Sequence, residues 1–479
     1  MKIQFDDGAR TPLSEQIAST IERMIAERRL MSGSKLPSIR RLAAQSGVSL
    51  FPVVEAYDRL VSRGLVCSRP GVGYFVVEGA IPALDLAERG VLRAQIDERS
   101  RSIQRFNLPG DTLKLGSGVI PEPWRDIDGL SAAIRQVVRD AGGSLVDYGT
   151  PLGNPQLRAA LLQQAARFGI DATMPEIMLT AGISHGLDLV VRCFVQRGDT
   201  VLVDDPGYFN LFNLLRMQGV HVVGVPRLPN GPDLACLETL VKTHRPTFYF
   251  VNTVLHNPTG STIDPRVCMR LLFLAETYDL RIVEDDVHAD LEFEPSDRLA
   301  KLGGRERVIH VGGLSKLLSS SLRIGYVIAS SAVIDMLADV KAHTMVGCSP
   351  FAEAVVYEWF RRGGHRRHTE RLRARLHAAM HDTMRELEAS GWELFVRPKG
   401  GSLLWARLPG IDDSAELAAN AEYHGVTIAP GSYYHVDNNV SPWLRINVAY
   451  ARDRRALSFL QDSYARDRPG AVAAKREAS

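Results

Sequence analysis

Three features of the sequence predict a multidomain chain, with an N-terminal α+β winged helix-turn-helix followed by an α/β body of one large and one small lobe. Residues 12–77 carry three helical apolar patterns and then two short β-rich runs around a Pro-Gly turn. From Leu113 onward, strand-like apolar runs alternate with helical stretches, the pattern of a parallel sheet covered by helices on both faces. The 479 residues, 45% apolar and 23% charged, suit a globular chain of about three domains, neither disordered nor fibrous.

In the head, Leu13, Ile17, Ile21, Met24 and Ile25 share one helix face that ends near Ser32-Gly33-Ser34. Ser38 can cap a second short helix carrying Arg40, Arg41, Leu42 and Ala43, Gly47 permits a sharp turn, and Ser49 can cap a third with Val53, Ala56, Tyr57 and Leu60 on one face. The runs on either side of Pro70-Gly71 make a hairpin wing. Residues 1–80 therefore form the head. Residues 81–112, charge-dense and short of core anchors, read as a linker, and 113–465 as the body. Its strands are expected at 201–203, 220–225, 248–251, 282–283, 308–311 and 324–328, its small lobe at about 352–465, and 466–479 as a disordered tail.

Lys plus Arg exceeds Asp plus Glu only by 57 to 55, so any contact with nucleic acid must come from a local patch. Arg40, Arg41, Arg63 and Arg69 supply one, all placed to reach phosphates. The five cysteines stand in no metal-ligand or disulfide spacing, which argues for thiols in a cytoplasm and for no metal site. The N-terminus lacks a signal-peptide profile and no apolar run nears the ~18 residues of a membrane span.

The chemistry lies in the body. Gly312-Gly313-Leu314-Ser315-Lys316 puts a lysine in a small-residue loop, and Arg323 follows seven residues later at a strand start. Such a lysine can form a Schiff base and such an arginine can grip a phosphate. His256-Asn257-Pro258-Thr259-Gly260 and Glu284-Asp285-Asp286-Val287-His288 each follow a strand, where open α/β sheets bind ligands.

With Tyr148-Gly149-Thr150-Pro151, Thr180-Ala181-Gly182-Ile183-Ser184, Asp205-Pro206-Gly207-Tyr208 and Leu444-Arg445-Ile446-Asn447, this ordered set over 113–462 resembles the fold-type I aminotransferases that use pyridoxal 5′-phosphate. The resemblance implies that Lys316 carries the cofactor as a Schiff base and Asp285 pairs with its ring nitrogen. Tyr208 would stack on the ring and Asn257 bond its phenolic oxygen. Gly182, Ile183, Ser184, Ser315, Arg323 and the partner subunit's Tyr148 would surround the cofactor, most of them at its phosphate. Arg445 would clamp a carboxylate. Three positions depart from the family. Gly313 replaces a Ser or Thr, Ser184-His185 replaces a Gln-rich turn, and His288 stands where a Tyr contacts the phenolic oxygen. An imidazole there either changes charge near neutral pH or only packs against the sheet.

The head resembles the GntR family through Pro12-Leu13-Ser14-Glu15-Gln16-Ile17, Leu36-Pro37-Ser38-Ile39-Arg40-Arg41 and Arg69-Pro70-Gly71-Val72-Gly73-Tyr74. A GntR head on an aminotransferase-like body is similar to the MocR regulators. That resemblance implies a homodimer that binds double-stranded operator DNA through residues including Ser38, Ser49 and Gly71, and responds to a small-molecule effector, either the cofactor or an amino acid or amine. The alternative is a working aminotransferase with a DNA-binding head attached. The third helix starts Ser49-Leu50-Phe51-Pro52 where the family commonly has Ser-Arg-Thr-Thr, which removes a guanine-reading arginine; Leu50 and Phe51 are expected to pack, the alternative being contact with thymine methyls. The run from His365 to Arg375 is expected to be a solvated helix face with Glu370 paired internally.

Overall fold

The computed structural model describes Ile3 and residues 11–27, 29–77, 112–140 and 145–466, so the linker up to residue 111 and the tail from 467 lie outside the described residues. The chain forms two compact units, Met1–Ala94 and Gln95–Ser479.

In the first unit, helices α1 (Leu13–Ala26), α2 (Ile39–Ser46) and α3 (Leu50–Ser62) bury Ile17, Ile21, Leu42, Val53, Ala56, Tyr57 and Leu60 in one core. Ser38 caps α2 by accepting from the Arg41 amide at 3.3 Å, and Gly47 ends α2 in the left-handed region at φ 71°. Ser49 occupies the corresponding place before α3 but makes no capping hydrogen bond. The third residue of α3 is Pro52, which has no N–H for a cap to accept from. Strands β1 (Val66–Arg69) and β2 (Gly73–Val76) pair antiparallel as the wing, and Gly71 takes φ 75° in its turn. Leu50 and Phe51 do not pack: they are 49% and 75% exposed. The inward face of α3 is already filled by Val53, Ala56, Tyr57 and Leu60, leaving the first two residues on the other side.

In the second unit the large sheet comprises β3 (Ile177–Thr180), β4 (Thr200–Asp205), β5 (His221–Leu228), β6 (Gly231–Pro232), β7 (Phe248–Val251), β8 (Arg281–Asp286), β9 (Val308–Gly313) and β10 (Gly325–Ile328). Its order is β3-β10-β9-β8-β7-β4-β5-β6. Strands β5, β4, β7, β8 and β9 are parallel, but β10 runs antiparallel to both β9 and β3. The sheet is therefore mixed rather than wholly parallel. The segment between β9 and β10 holds no crossover helix, and parallel strands cannot be joined without one or its equivalent. Because β10 turns straight back, with Gly325 opposite Gly313, Lys316 and Arg323 stay at the carboxyl edge of the sheet.

The small lobe carries β11 (Glu393–Leu394), β12 (Leu403–Arg407), β13 (Ala429–Pro430) and β14 (Trp443–Asn447) in the order β11-β12-β14-β13, all antiparallel. Residues 113–117 join this lobe: the Leu113 and Gly116 amides donate to the carbonyls of Gly425 and Thr427 at 2.8 and 2.9 Å. The beginning of the body is thus held beside its end. A Cβ on Gly116 would stand 2.4 Å from the Ala429 amide nitrogen, so only glycine fits that approach. The helix Pro350–Arg361 packs on the large-lobe helices Ile127–Asp140 and Pro155–Arg167. No helix among the described residues is long and apolar enough to cross a membrane.

Candidate functional site

The carboxyl ends of β3, β4, β7, β8 and β9 surround a cavity of about 580 Å3 whose lining includes Ser184, Tyr208, Asn257, Ser315, Lys316, Arg323 and Arg445. A recess of about 100 Å3 shares Lys316 and Arg323 with it and reaches Asp285 and Ile183. Lys114, Lys316, Arg323 and Arg445 line the cavity and no carboxylate does, so it is built for anions. A second hollow, about 620 Å3, lies beside helices Pro155–Arg167 and Pro350–Arg361. Its buried polar groups are already satisfied, since Gln164 and His365 both bond Asp290 Oδ1.

Two groups in the recess are shifted in opposite directions. Burial lowers Lys316 to about 8, assisted by the positive charges of Arg445 and Arg125. Burial raises Asp285 to about 7, assisted by the adjacent Asp286, and the Val287 amide donates to its side chain at 3.1 Å. Each acts on the other as an opposite charge, but burial outweighs that attraction in both. Buried pairs shifted in this way often mark functional sites.

Arg323 takes left-handed backbone at φ 53° and donates from Nη2 to the Ala181 carbonyl at 3.1 Å. Its guanidinium lies over Gly182, where a Cβ would stand 2.6 Å from Nη2. Gly182 also precedes the helix Ile183–Phe194, whose first free amides make an anion site. His185 Nδ1 accepts from the Ala181 amide at 3.0 Å, so the Ser184-His185 departure stiffens this turn. Gly313 has a reason as well: a Cβ there would meet Ile183 Cγ1 at 2.9 Å. The hydroxyl usual at that place has been exchanged for packing by Ile183.

Arg445 is buried, with Nε and Nη2 donating to the Gly116 carbonyl at 3.0 and 2.7 Å, Nη1 to Asn257 Oδ1 at 2.8 Å, and the Tyr434 ring 5.0 Å away. A Cβ on Gly118 would lie 3.5 Å from Arg445 Nη1 and 3.6 Å from Lys316 Nζ, so both charges converge on one point. Asn257 is held by Arg445 and, through its own amide, by Asn252 Oδ1 at 2.8 Å. Tyr208 lines the recess and its hydroxyl accepts from Asn210 Nδ2 at 3.0 Å. Tyr148 lies at the surface, 88% exposed.

Of the two readings of His288, the structure favours packing. The imidazole is buried, its Nδ1 stands 3.1 Å from the Leu255 carbonyl, and burial with Lys316 nearby lowers it to about 3. It stays neutral at neutral pH and cannot switch charge there. Arg63 differs from expectation: its guanidinium is ion-paired with Glu15 and Glu22, both at 2.8 Å. Arg40, Arg41 and Arg69 have no ion pair among the described residues, and all three are exposed; Arg69 lies 4.7 Å from the Phe75 ring centroid. The run 365–375 presents Arg366, Arg367, Glu370, Arg371 and Arg375 to solvent as expected, although Glu370 makes no ion pair among the described residues. His365 and His368 are buried on Asp290 and the Leu317 carbonyl, while Arg371, Arg373 and Arg375 reach Asp126 and the carbonyls of Asp290 and Pro123.

Several site residues escaped the sequence analysis. Gly116, Gly118 and Lys114 come to the cavity only because the first body segment pairs with the small lobe. Arg125, which acts on Lys316, donates to the Ile120 carbonyl at 3.0 Å from a loop without a motif. Tyr450 lies three residues beyond β14, a placement that could have been read from its distance to Arg445.

Residues 110–458 match the family model for aminotransferase class I and II, and residues 13–76 match that for bacterial regulatory proteins of the gntR family. The chain is 28% identical to the HTH-type transcriptional regulator YdfD of Bacillus subtilis, over 92% of this chain and 93% of that one. It is 26% identical to the probable rhizopine catabolism regulatory protein MocR of Rhizobium meliloti, over 90% and 89%. Among solved structures, LysN, the alpha-aminoadipate aminotransferase of Thermus thermophilus complexed with N-(5′-phosphopyridoxyl)-L-leucine, superposes with a TM-score of 0.71 at 25% identity, covering 80% of this chain and 99% of that one. With one family model on the body, the other on the head, and relatives matched over nearly their whole length, this chain belongs to the aminotransferase class I and II family and its two-part build fits the MocR subfamily of GntR-type regulators.

Proposed function

We propose that the chain is a DNA-binding transcription regulator whose body holds pyridoxal 5′-phosphate at Lys316 and senses that compound or an amino acid or amine bound with it. The observation that carries this reading is the convergence of Lys316, Asp285, Asn257, Tyr208 and Arg323 on one recess, on a chain that begins with a winged helix-turn-helix. The residues fit the cofactor. A lysine partly neutral near pH 8 is a nucleophile for an aldehyde, and a buried carboxyl is suited to pair with a pyridinium. Arg323, Gly182 and the start of helix Ile183–Phe194 offer a phosphate cradle.

When bound, pyridoxal 5′-phosphate supplies an electron sink to an amine attached to it. The protein's own part is placement. Lys316 can hold or give up a proton at Nζ near pH 8, Asp285 would pair with the cofactor's ring nitrogen, and Arg445, oriented by Gly116 and Asn257, would offer its remaining N–H groups to a carboxylate. The exposure of Leu145, Val146 and Tyr148, and of Met345 and Val346, supports a homodimer. Gly149 and the Cys348 carbonyl touch so closely that a Cβ on Gly149 would stand 2.3 Å from that oxygen, which brings the two segments carrying these groups together.

The test is spectroscopic. Purified full-length protein should take up one cofactor per chain, fixed by borohydride at Lys316, and should retain duplex DNA from upstream of its own gene. Steady turnover of an amino acid against a 2-oxo acid, with no retained DNA, would make the chain a working aminotransferase instead.

A further inference from the structure

We propose that α3 reads thymine: Leu50, Phe51 and Val54 form an apolar face that enters the major groove and packs on the 5-methyl groups of an A·T-rich half-site. The inference rests on the DNA-binding reading above and specifies how that binding selects sequence.

Leu50 and Phe51 are the first two residues of α3 and Val54 lies one turn on, with 49%, 75% and 37% of their surfaces exposed. The N-terminal residues of the second helix of a helix-turn-helix are those presented to base edges. The core does not need these three, because Val53, Ala56, Tyr57 and Leu60 fill it from the opposite side. Large apolar groups clustered at a helix start in water mark a surface that something covers.

The chemistry of α3 narrows what that is. A guanine is read by a cationic fork on O6 and N7. The arginines of α3 and its C-terminal cap are engaged elsewhere, Arg59 with Glu15 and Glu55 and Arg63 with Glu15 and Glu22. The next exposed side chain along the outward face is Asp58, which has no N–H to offer. What α3 can offer at its start is apolar surface, and the one apolar group that a base pair shows in the major groove is the thymine methyl. The surroundings suit DNA rather than an apolar protein partner. Arg40 and Arg41, in the first turn of α2, and Arg69 on the wing are exposed and carry no ion pair among the described residues, leaving their charges for phosphates.

The experiment uses full-length protein and a random duplex library. Selection with ordinary thymidine should enrich half-sites with adjacent thymines. The tightest duplex is then remade with deoxyuridine at each thymine in turn, which removes only the methyl. Each contacted methyl should cost about fourfold in Kd, the ~0.8 kcal/mol of one buried methyl-sized group converted at ~1.4 kcal/mol per tenfold. In Phe51→Ala and Leu50→Ala, whose exposed sites should leave the fold intact, that cost should shrink while the salt slope stays unchanged. Phe51→Met should restore it. Indifference to deoxyuridine at every position overturns the proposal, as does a methyl dependence that survives in the triple Leu50→Ala, Phe51→Ala, Val54→Ala. Indifference together with weaker self-association in Phe51→Ala would assign the face to a second copy and equally overturn it. Failure to retain any duplex at low salt would refute the DNA-binding reading itself, a distinguishable result.

Discussion

Two pairs of arginines, one pair in each unit of this chain, are held differently, although other body arginines such as Arg227 and Arg298 are also paired with carboxylates. In the head, Arg59 and Arg63 meet carboxylates of Glu15, Glu22 and Glu55. In the body, Arg323 and Arg445 meet carbonyl and amide oxygens, those of Ala181, Gly116 and Asn257. A carboxylate cancels the charge it orients, whereas a carbonyl orients the guanidinium and leaves its charge for a ligand. The partner's chemistry, more than exposure, therefore separates arginines that build the fold from those that bind. Arg63 has about two-fifths of its side chain exposed and is occupied; Arg445 is buried and remains available to an anion.

Several substitutions sharpen or break this contrast. Lys316→Ala should have the largest effect, abolishing the visible absorbance and borohydride-fixed label of added pyridoxal 5′-phosphate. In the unaltered protein the attachment rate should follow the neutral amine. It should rise about tenfold per pH unit below about 8 and level off above, because the folded pKa is lowered to that value. A rate still climbing at pH 10 would mean the amine is not shifted. Arg323→Ala should weaken cofactor affinity by about 10- to 100-fold, the worth of a hydrogen bond to a charged group, by equilibrium dialysis. Smaller still, Arg40→Ala should lower the slope of log Kd against log salt by about 0.9, one phosphate contact. Arg63→Ala should leave that slope unchanged. Equal slopes lost in both variants would show that the Glu15 and Glu22 pairs open on DNA and that partner chemistry does not decide availability.

Much of the body's site was legible because strand ends are marked by short runs. Lys316, Arg323, Asp285 and Asn257 all fall within a few residues of an apolar strand, and the sheet brings those ends together. The direction of β10 was not legible from its own residues, since an apolar run has no polarity; the helix-free segment before it held the clue. Arg63 looked free because Glu15 is 48 residues away in sequence and meets it only after α1 packs on α3. His288 resembled a titrating group until its burial against Leu255 was visible. Leu50 and Phe51 failed in the other direction. Their spacing relative to Val53, Ala56, Tyr57 and Leu60 already placed them outward, but hydrophobicity outweighed period in the expectation that they pack.

The central claim is that the cavity around Lys316 governs the head's hold on DNA. The most direct measurement titrates the DNA affinity of full-length protein against pyridoxal 5′-phosphate, and then against amino acids in its presence, in the unaltered chain, Lys316→Ala and Arg445→Lys. A coupled site should change Kd for DNA by at least about fivefold in the unaltered chain. That response should vanish in Lys316→Ala. If an amino acid is the signal, Arg445→Lys should lose its part alone, because lysine cannot reproduce the planar two-point contact. A DNA affinity that ignores these ligands in the unaltered chain, or responds identically in all three, would contradict the claim.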